Sequence, residues 1–150
     1  MVISVRNVLI VEDDFATREM LSTMLSTEGF HPIAAEDGLE ALHLLRAVKR
    51  RAPDAACLVL LDLSMPRLGG NEFRRAQLHD SQVAGVPVAV MSGAVDLESR
   101  ARAMGAVAIL RKPIDLDALL EVVNRHCVPT GFDLRAATHR LPDRRREDGA

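Results

Sequence analysis

The sequence predicts an α/β fold in which five β–α units follow one another and build a doubly wound parallel sheet. Short runs that are almost wholly apolar, such as LVLLD at 58–62, are typical of strands buried on both faces. Each run precedes a segment whose apolar residues recur at helical spacing. Regular alternation of this kind favours a parallel sheet covered on both faces by helices, with right-handed crossovers.

The first two units account for residues 6–51. A strand over 6–11 leads to a helix that Gly29 ends, and a weaker strand, HPIAA at 31–35, leads to a helix that Asp37 caps. The second helix has a basic end, which suits a helix C-terminus. The apolar positions at helical spacing in the two helices are Met20, Leu21, Met24, Leu25, Leu42, Leu45 and Val48.

The last three units begin with the strands CLVLLD, VPVAVM and AVAILR. A modest helix over 70–80 follows the third strand, a short helix ended by Gly105 follows the fourth, and a helix capped by Asp115 follows the fifth. The apolar positions predicted to face the core are Leu97, Ala101 and Met104 in the fourth helix, and Leu116, Leu119, Leu120, Val123 and Cys127 in the fifth.

Composition narrows the class of protein. A chain of 150 residues with 48% apolar and 27% charged residues is long enough for one domain with a hydrophobic core. Its net charge of −2 indicates no general attraction to nucleic acid or to an anionic membrane. The N-terminus does not resemble a signal peptide, and no apolar run approaches the ~20 residues of a membrane span. We therefore expect a cytoplasmic protein, in which Cys57 and Cys127 are small buried hydrophobes.

Polar residues stand at the ends of four predicted strands. Glu12, Asp13 and Asp14 follow the first strand, and Asp62 ends the third. Ends of parallel strands meet at one edge of the sheet, so these carboxylates are expected to converge there. Carboxylates held together repel each other unless a cation joins them, and an oxygen-only set of ligands suits Mg²⁺.

Ser92 ends the fourth strand, and Lys112 and Pro113 follow the fifth. A metal ion, an ammonium group and a hydroxyl together can share the oxygens of a phosphoryl group, for which an Asp carboxylate can be the nucleophile. Taken singly, each motif has a plainer interpretation: EDD as a helix cap, LDLSMP as a turn, Ser92 as a cap and Lys112-Pro113 as a loop. The ordered set at successive strand ends favours phosphoryl chemistry.

Four motifs together resemble the receiver domain of bacterial two-component response regulators, in particular the stand-alone, chemotaxis-type regulators. They are VLIVEDD at 8–14, LLDLSMPRLGG at 60–70, AVMSG at 89–93 and LRKP at 110–113, and the resemblance covers residues 7–127. It implies a flavodoxin-like (βα)5 fold with strand order 2-1-3-4-5. It also implies phosphorylation of one aspartate by a phosphohistidine on a sensor kinase, or by a small acyl phosphate.

The resemblance implies a role for each matching residue. Asp62 would accept the phosphoryl group, and Mg²⁺ would be bound by Asp62, Glu12, Asp13 and the backbone carbonyl of Ser64. Asp14 lies beyond the acidic pair and is expected to cap the first helix.

Four further positions match the family. Ser92 would contact the phosphoryl oxygens through its hydroxyl, and Lys112 would pair with them. Pro113 would follow a cis peptide bond, and Gly70 would close the loop after the acceptor.

Ile109 departs from the family pattern, because many receivers carry an aromatic residue three positions before the lysine. The chain has no Tyr and no Trp. The plainest interpretation is that Ile109 is an ordinary core residue. Otherwise the signal leaves the site through the backbone between residues 92 and 104, or phosphorylation alters a partner surface in another way.

The resemblance implies a receiver domain, which we place over 1–127. Residues 128–150 contain two prolines, two glycines and mixed charges, and they are too few for a DNA-binding or enzymatic effector domain, so we expect a flexible tail there. The expected partners are a sensor histidine kinase or phosphotransfer protein and a downstream protein target, without direct DNA or membrane binding. The fourth and fifth helical units, residues 96–127, are the expected contact face, and a homodimer through it is possible.

Two other functions compete with the phosphorylated switch. One is a receiver-like adaptor that binds partners without phosphorylation. The other is an aspartyl phosphatase, which is disfavoured because Ser64 stands where such an enzyme needs a second Asp. We therefore expect self-catalysed transfer and loss of one phosphoryl group, not a turnover enzyme.

Overall fold

The computed structural model describes residues 6–51, 58–65 and 69–127. In these ranges a helix follows every strand, which confirms the predicted alternation. The strands are β1 (Asn7–Val11), β2 (His31–Ala35), β3 (Leu58–Asp62), β4 (Val88–Ser92) and β5 (Ala108–Arg111). The helices are α1 (Phe15–Thr27), α2 (Gly38–Arg51), α3 (Gly70–Leu78), α4 (Leu97–Ala103) and α5 (Leu116–His126).

The five strands form one parallel sheet in the order β2-β1-β3-β4-β5, as predicted. Val8 of β1 pairs with Leu58 of β3, and Val59 pairs with Val88 of β4. The strand order reverses at β1 and β3, which lie side by side. In sheets of this kind the functional site lies beyond the carboxyl ends of the strands at such a reversal.

Successive strand residues alternate between two apolar layers. In β1, Leu9 and Val11 contribute to the layer completed by α2, α3 and α4, whereas Val8 and Ile10 contribute to the layer completed by α1 and α5. Since both faces of the sheet are covered, the central strands need apolar residues at every position. This explains why the strands read as unbroken apolar runs.

The predicted helix boundaries are confirmed at their caps and stops. The side chain of Asp14 accepts a hydrogen bond from the Thr17 amide at 2.9 Å, and Asp37 and Asp115 accept equivalent bonds from amides at the start of α2 and α5. Gly29 and Gly105 follow α1 and α4 with φ angles of +85° and +66°. Only glycine adopts this backbone conformation without strain.

Two residues predicted to face the core lie at the surface instead. Met20 is 40% exposed and Leu116 is 36% exposed, whereas Leu21 and Leu119 are fully buried. Each exposed residue stands at the margin of its helix's apolar stripe. Helical spacing identifies which face of a helix turns toward the core. How many residues of that face are buried depends on how closely the helix approaches the sheet.

The two ends of the described domain meet at the edge of the sheet where the strands begin. Cys127 is buried, and its thiol donates a hydrogen bond to the backbone carbonyl of Asn7 at 3.1 Å. Arg6 also bonds the side chain of Asn124 at 2.8 Å. Burial raises the pKa of Cys127 to about 11, so this thiol has the inert character predicted for it.

Some predictions fall outside the described residues, namely those for Cys57 and for the tail over 128–150. Within the described parts of the chain, none of the helices has the length and apolar character needed to cross a bilayer.

Candidate functional site

Three carboxylates meet where β1 and β3 end. Glu12, Asp13 and Asp62 each offer one oxygen, and these oxygens lie within 4.8 Å of one another. Glu12 and Asp62 are each only 1% exposed, whereas Asp13 is exposed to solvent. A set of oxygen ligands that is buried on one side and open on the other fits Mg²⁺, which binds few carboxylates and keeps several waters. The residues present therefore fit the ion that the sequence predicts.

Among the residues that the structure describes, Lys112 pairs directly with this cluster. Its Nζ lies 2.7 Å from Oε2 of Glu12 and 3.4 Å from Oδ1 of Asp62. Desolvation lowers the pKa of Lys112, but the hydrogen bond to Glu12 and the charges of Asp62 and Glu12 outweigh it, so the pKa is raised overall. The ammonium group is therefore firmly charged between the two buried carboxylates.

Glu12 is the carboxylate most perturbed by its surroundings. Burial raises its pKa to about 7, and the charge of Asp62 adds to this rise, whereas the hydrogen bond from Lys112 opposes it. The other oxygen of Glu12, Oε1, accepts a bond from the Asp14 amide at 3.2 Å. Without a divalent cation, a proton thus competes for Glu12 near neutral pH.

The loop after Asp62 turns back toward the carboxylate. The amide of Ser64 donates to Oδ1 of Asp62 at 3.0 Å, and the side chain of Ser64 is exposed. Gly70 begins α3 so close to β3 that a Cβ atom there would lie 3.0 Å from the Asp62 carbonyl oxygen and 3.0 Å from the Cα of Leu63. This close approach of two backbones favours glycine at position 70.

Ser92 and Lys112 are joined through the backbone. Ser92 is fully buried, and its carbonyl accepts a bond from the Lys112 amide at 2.9 Å. Its hydroxyl oxygen accepts a bond from the Ala94 amide at 3.0 Å. Asp62 pairs in register with Met91, the residue before Ser92, and the Lys112–Pro113 peptide bond is cis.

Ile109 does not belong to the core. It is 39% exposed on β5, which forms one edge of the sheet, whereas its neighbour Leu110 is buried. The interpretation of Ile109 as an ordinary core residue is therefore wrong. An edge strand that helices cover incompletely leaves alternate residues open to solvent, and apolar character alone does not reveal this.

Two arginines at the site were not singled out from the sequence. Arg18 is buried on α1 and donates to the backbone carbonyls of Glu12 and Asp13 at 2.9 Å and 3.3 Å. The sequence did hold a signal, since Arg18 stands three residues before Leu21 and seven before Leu25, on the apolar face of the helix.

The second arginine is Arg111 at the end of β5. It donates to the Ala94 carbonyl at 2.9 Å and to Glu98 of α4 at 2.6 Å. The first of these partners is a backbone atom in a loop, for which no sequence pattern exists.

The strand order 2-1-3-4-5, with an acidic cluster at the point of reversal, defines a flavodoxin-like α/β domain with a candidate cation site. The model of the response regulator receiver domain family matches residues 8–124. The chain therefore belongs to this family and is a receiver domain of two-component signalling.

Known proteins similar to the chain include stand-alone and multidomain regulators. Sporulation initiation phosphotransferase F of Bacillus subtilis is 30% identical over 79% of this chain and 91% of its own length. The regulatory protein AtoC of Escherichia coli is 33% identical over 81% of this chain, which spans only 25% of AtoC. The solved structure of chemotaxis protein CheY4 of Vibrio cholerae has 30% identity and a TM-score of 0.67, covering 81% of this chain and 98% of CheY4. Receivers interact with histidine kinases or phosphotransfer proteins and with downstream targets.

Proposed function

We propose that the chain is a phosphorylated switch whose acceptor is Asp62. A carboxylate oxygen of Asp62 forms a bond to phosphorus, while the bond between phosphorus and the imidazole nitrogen of a donor phosphohistidine breaks and its electron pair stays on nitrogen. The observation that supports this proposal is the grouping of Asp62 with Glu12 and Asp13, within 4.8 Å, beside the ammonium group of Lys112.

Each neighbour of Asp62 has a defined part in this proposal. Mg²⁺, when bound, would neutralise charge on the carboxylates and on the phosphoryl oxygens. The carboxylates of Glu12, Asp13 and Asp62 and the carbonyl of Ser64 would hold the ion. Lys112 would pair with one phosphoryl oxygen, and the hydroxyl of Ser92 would donate to another.

Consecutive hydrogen bonds connect Ser92 with α4, and they support transmission of the signal from the site without an aromatic residue at position 109. The Ser92 hydroxyl accepts from the Ala94 amide, the Ala94 carbonyl accepts from Arg111, and Arg111 also donates to Glu98 on α4. A change at Ser92 would therefore alter the surface formed by α4 and β5. We propose that this surface contacts a downstream protein and that the domain is a switch which resets by hydrolysis, not a turnover enzyme.

Intact-mass spectrometry tests the proposal. The protein is incubated with Mg²⁺ and acetyl phosphate or phosphoramidate, beside Asp62→Asn and the control Asp80→Asn, whose carboxylate pairs with Arg46 away from the site. We expect a gain of one phosphoryl group in the unmodified protein and in Asp80→Asn, none in Asp62→Asn, and none after a chelator is added. No gain in folded, unmodified protein would favour the phosphorylation-independent adaptor.

A further inference from the structure

Arg18 is a buried cation whose closest hydrogen-bond acceptors are backbone carbonyls. It is 9% exposed on α1, and its Nη1 reaches back to the carbonyl oxygens of Glu12 and Asp13 at 2.9 Å and 3.3 Å. The carboxylate of Glu36 lies 3.9 Å from Nη2, but its side chain is 52% exposed, so this ion pair is weak. A buried guanidinium needs hydrogen-bond acceptors, and the two carbonyls supply them.

The two carbonyls belong to the turn that presents the acidic pair. The amide of Glu12 donates to the Ala35 carbonyl of β2 at 3.1 Å, and its carboxylate accepts from Lys112. The next turn is held by Asp14, which caps α1. Arg18 adds the two hydrogen bonds to the carbonyls between strand and helix.

The position of Arg18 is electrostatically unfavourable for a cation site. A positive charge beside the backbone of Glu12 and Asp13 opposes the binding of a cation by this acidic pair. A role through charge alone would therefore weaken the binding of Mg²⁺. A role through geometry would strengthen it, because the carboxylates would be held ready for the ion without reorganisation.

We propose that Arg18 is a positioning residue for the cation site: its guanidinium holds the carbonyls of Glu12 and Asp13 so that the acidic pair faces Asp62. This inference rests on the proposed Mg²⁺ site. Removal of Arg18 should therefore weaken Mg²⁺ binding, although it removes a positive charge. Partners that orient metal ligands typically change metal affinity by about 10-fold or more when they are lost.

Isothermal titration calorimetry with Mg²⁺ separates the two roles. Arg18→Met keeps an apolar stem but removes the charge and the donors, and Arg18→Lys keeps the charge with a single compact donor group. We expect the dissociation constant to rise about 10-fold in Arg18→Met and by a smaller factor in Arg18→Lys. Arg46→Met, which removes an arginine that pairs with Asp80 away from the site, should bind like the unmodified protein.

The outcomes distinguish this inference from the function on which it rests. Unchanged or tighter binding by folded Arg18→Met, with Arg18→Lys equal to the unmodified protein, would overturn the positioning role alone. No binding by the unmodified protein would overturn the Mg²⁺ site and the inference with it. If circular dichroism shows that Arg18→Met is unfolded, Arg18→Lys decides, since only the geometric role predicts weaker binding for it.

Discussion

The ammonium group of Lys112 lies closer to Glu12 than to Asp62, at 2.7 Å against 3.4 Å. One cation thus serves two buried carboxylates, and its shorter contact is with the residue that is not the proposed acceptor. The pKa of Glu12 is nevertheless raised to about 7, because burial outweighs the contribution of Lys112. The charge balance of the site therefore changes within the physiological range of pH.

Stability should depend on the titration of Glu12. Its pKa is about 7 in the folded state against an ordinary value of 4.5, so between these values the folded state binds more protons than the unfolded state. The free energy of unfolding should therefore fall as pH rises from about 4.5 to about 7. Urea unfolding at several pH values measures this free energy. We expect no decrease with pH in Glu12→Gln, and an unchanged decrease in the control Glu121→Gln, which alters an exposed carboxylate.

Magnesium should reverse this trend, because the ion binds the deprotonated carboxylate. The stabilisation produced by a fixed Mg²⁺ concentration should grow with pH over the same interval. Thermal unfolding with and without Mg²⁺ at pH 5, 6, 7 and 8 measures it. A stabilisation that does not vary with pH would contradict the assignment of Glu12 to the cation site.

Asp62→Asn should stabilise the protein in the absence of Mg²⁺. The change removes one of three neighbouring carboxylates and keeps an oxygen that can accept from the Ser64 amide. Relief of like-charge repulsion should add about 1 kcal/mol, or roughly 3 °C in Tm for a domain of this size. Calorimetry measures the Tm of both proteins without Mg²⁺. On adding Mg²⁺, the Tm of Asp62→Asn should increase by less than that of the unmodified protein. A lower Tm without Mg²⁺ would show that the attraction between Asp62 and Lys112 dominates.

Gly70→Ala should destabilise the fold by about 1–3 kcal/mol, because its Cβ would press against the backbone of Asp62 and Leu63. Gly85→Ala is the matched control, since its Cβ would have no atom within 4 Å. Chemical denaturation of both variants measures the difference. Equal stabilities would mean that α3 shifts away from β3 without cost.

Arg74→Met should lower the free energy of unfolding by about 1–3 kcal/mol, because buried hydrogen bonds are lost. Arg74 on α3 donates to the Met104 carbonyl at the end of α4 at 2.9 Å and to the buried side chain of Gln77 at 2.7 Å. Its neighbour Arg75 is exposed, so Arg75→Met should change stability by less than about 0.5 kcal/mol. Denaturation curves of the two variants provide the comparison, and a small effect at position 74 would indicate that water replaces the guanidinium.

The sequence was sufficient to predict the fold and the acidic residues of the site. Glu12, Asp62 and Lys112 could be placed together because each directly follows or ends an apolar run, and parallel strands align their ends. The caps Asp14 and Asp115 could be identified because capping is a local interaction between residues three apart.

The contacts of the two arginines and the exposure of some apolar residues could not be predicted, because they depend on the three-dimensional arrangement. The helical spacing indicates that Arg18 lies on the buried face of its helix, but not which atoms it contacts. Arg18 and Arg111 both donate to backbone carbonyls, which every residue carries and no sequence pattern distinguishes. Leu116 and Ile109 are apolar but exposed, because one lies at the margin of a helix's buried stripe and the other on an edge strand. Depth of burial is a property of packed elements and not of residue type.

The contact between Cys127 and Asn7 has a practical consequence for labelling. It brings both ends of the described domain to the edge of the sheet where the strands begin, whereas Asp62 lies at the edge where they end. A fluorescent protein or affinity tag joined beside either end would be separated from Asp62 by the length of the sheet. Labels at these positions should therefore leave the acceptor open to a donor protein.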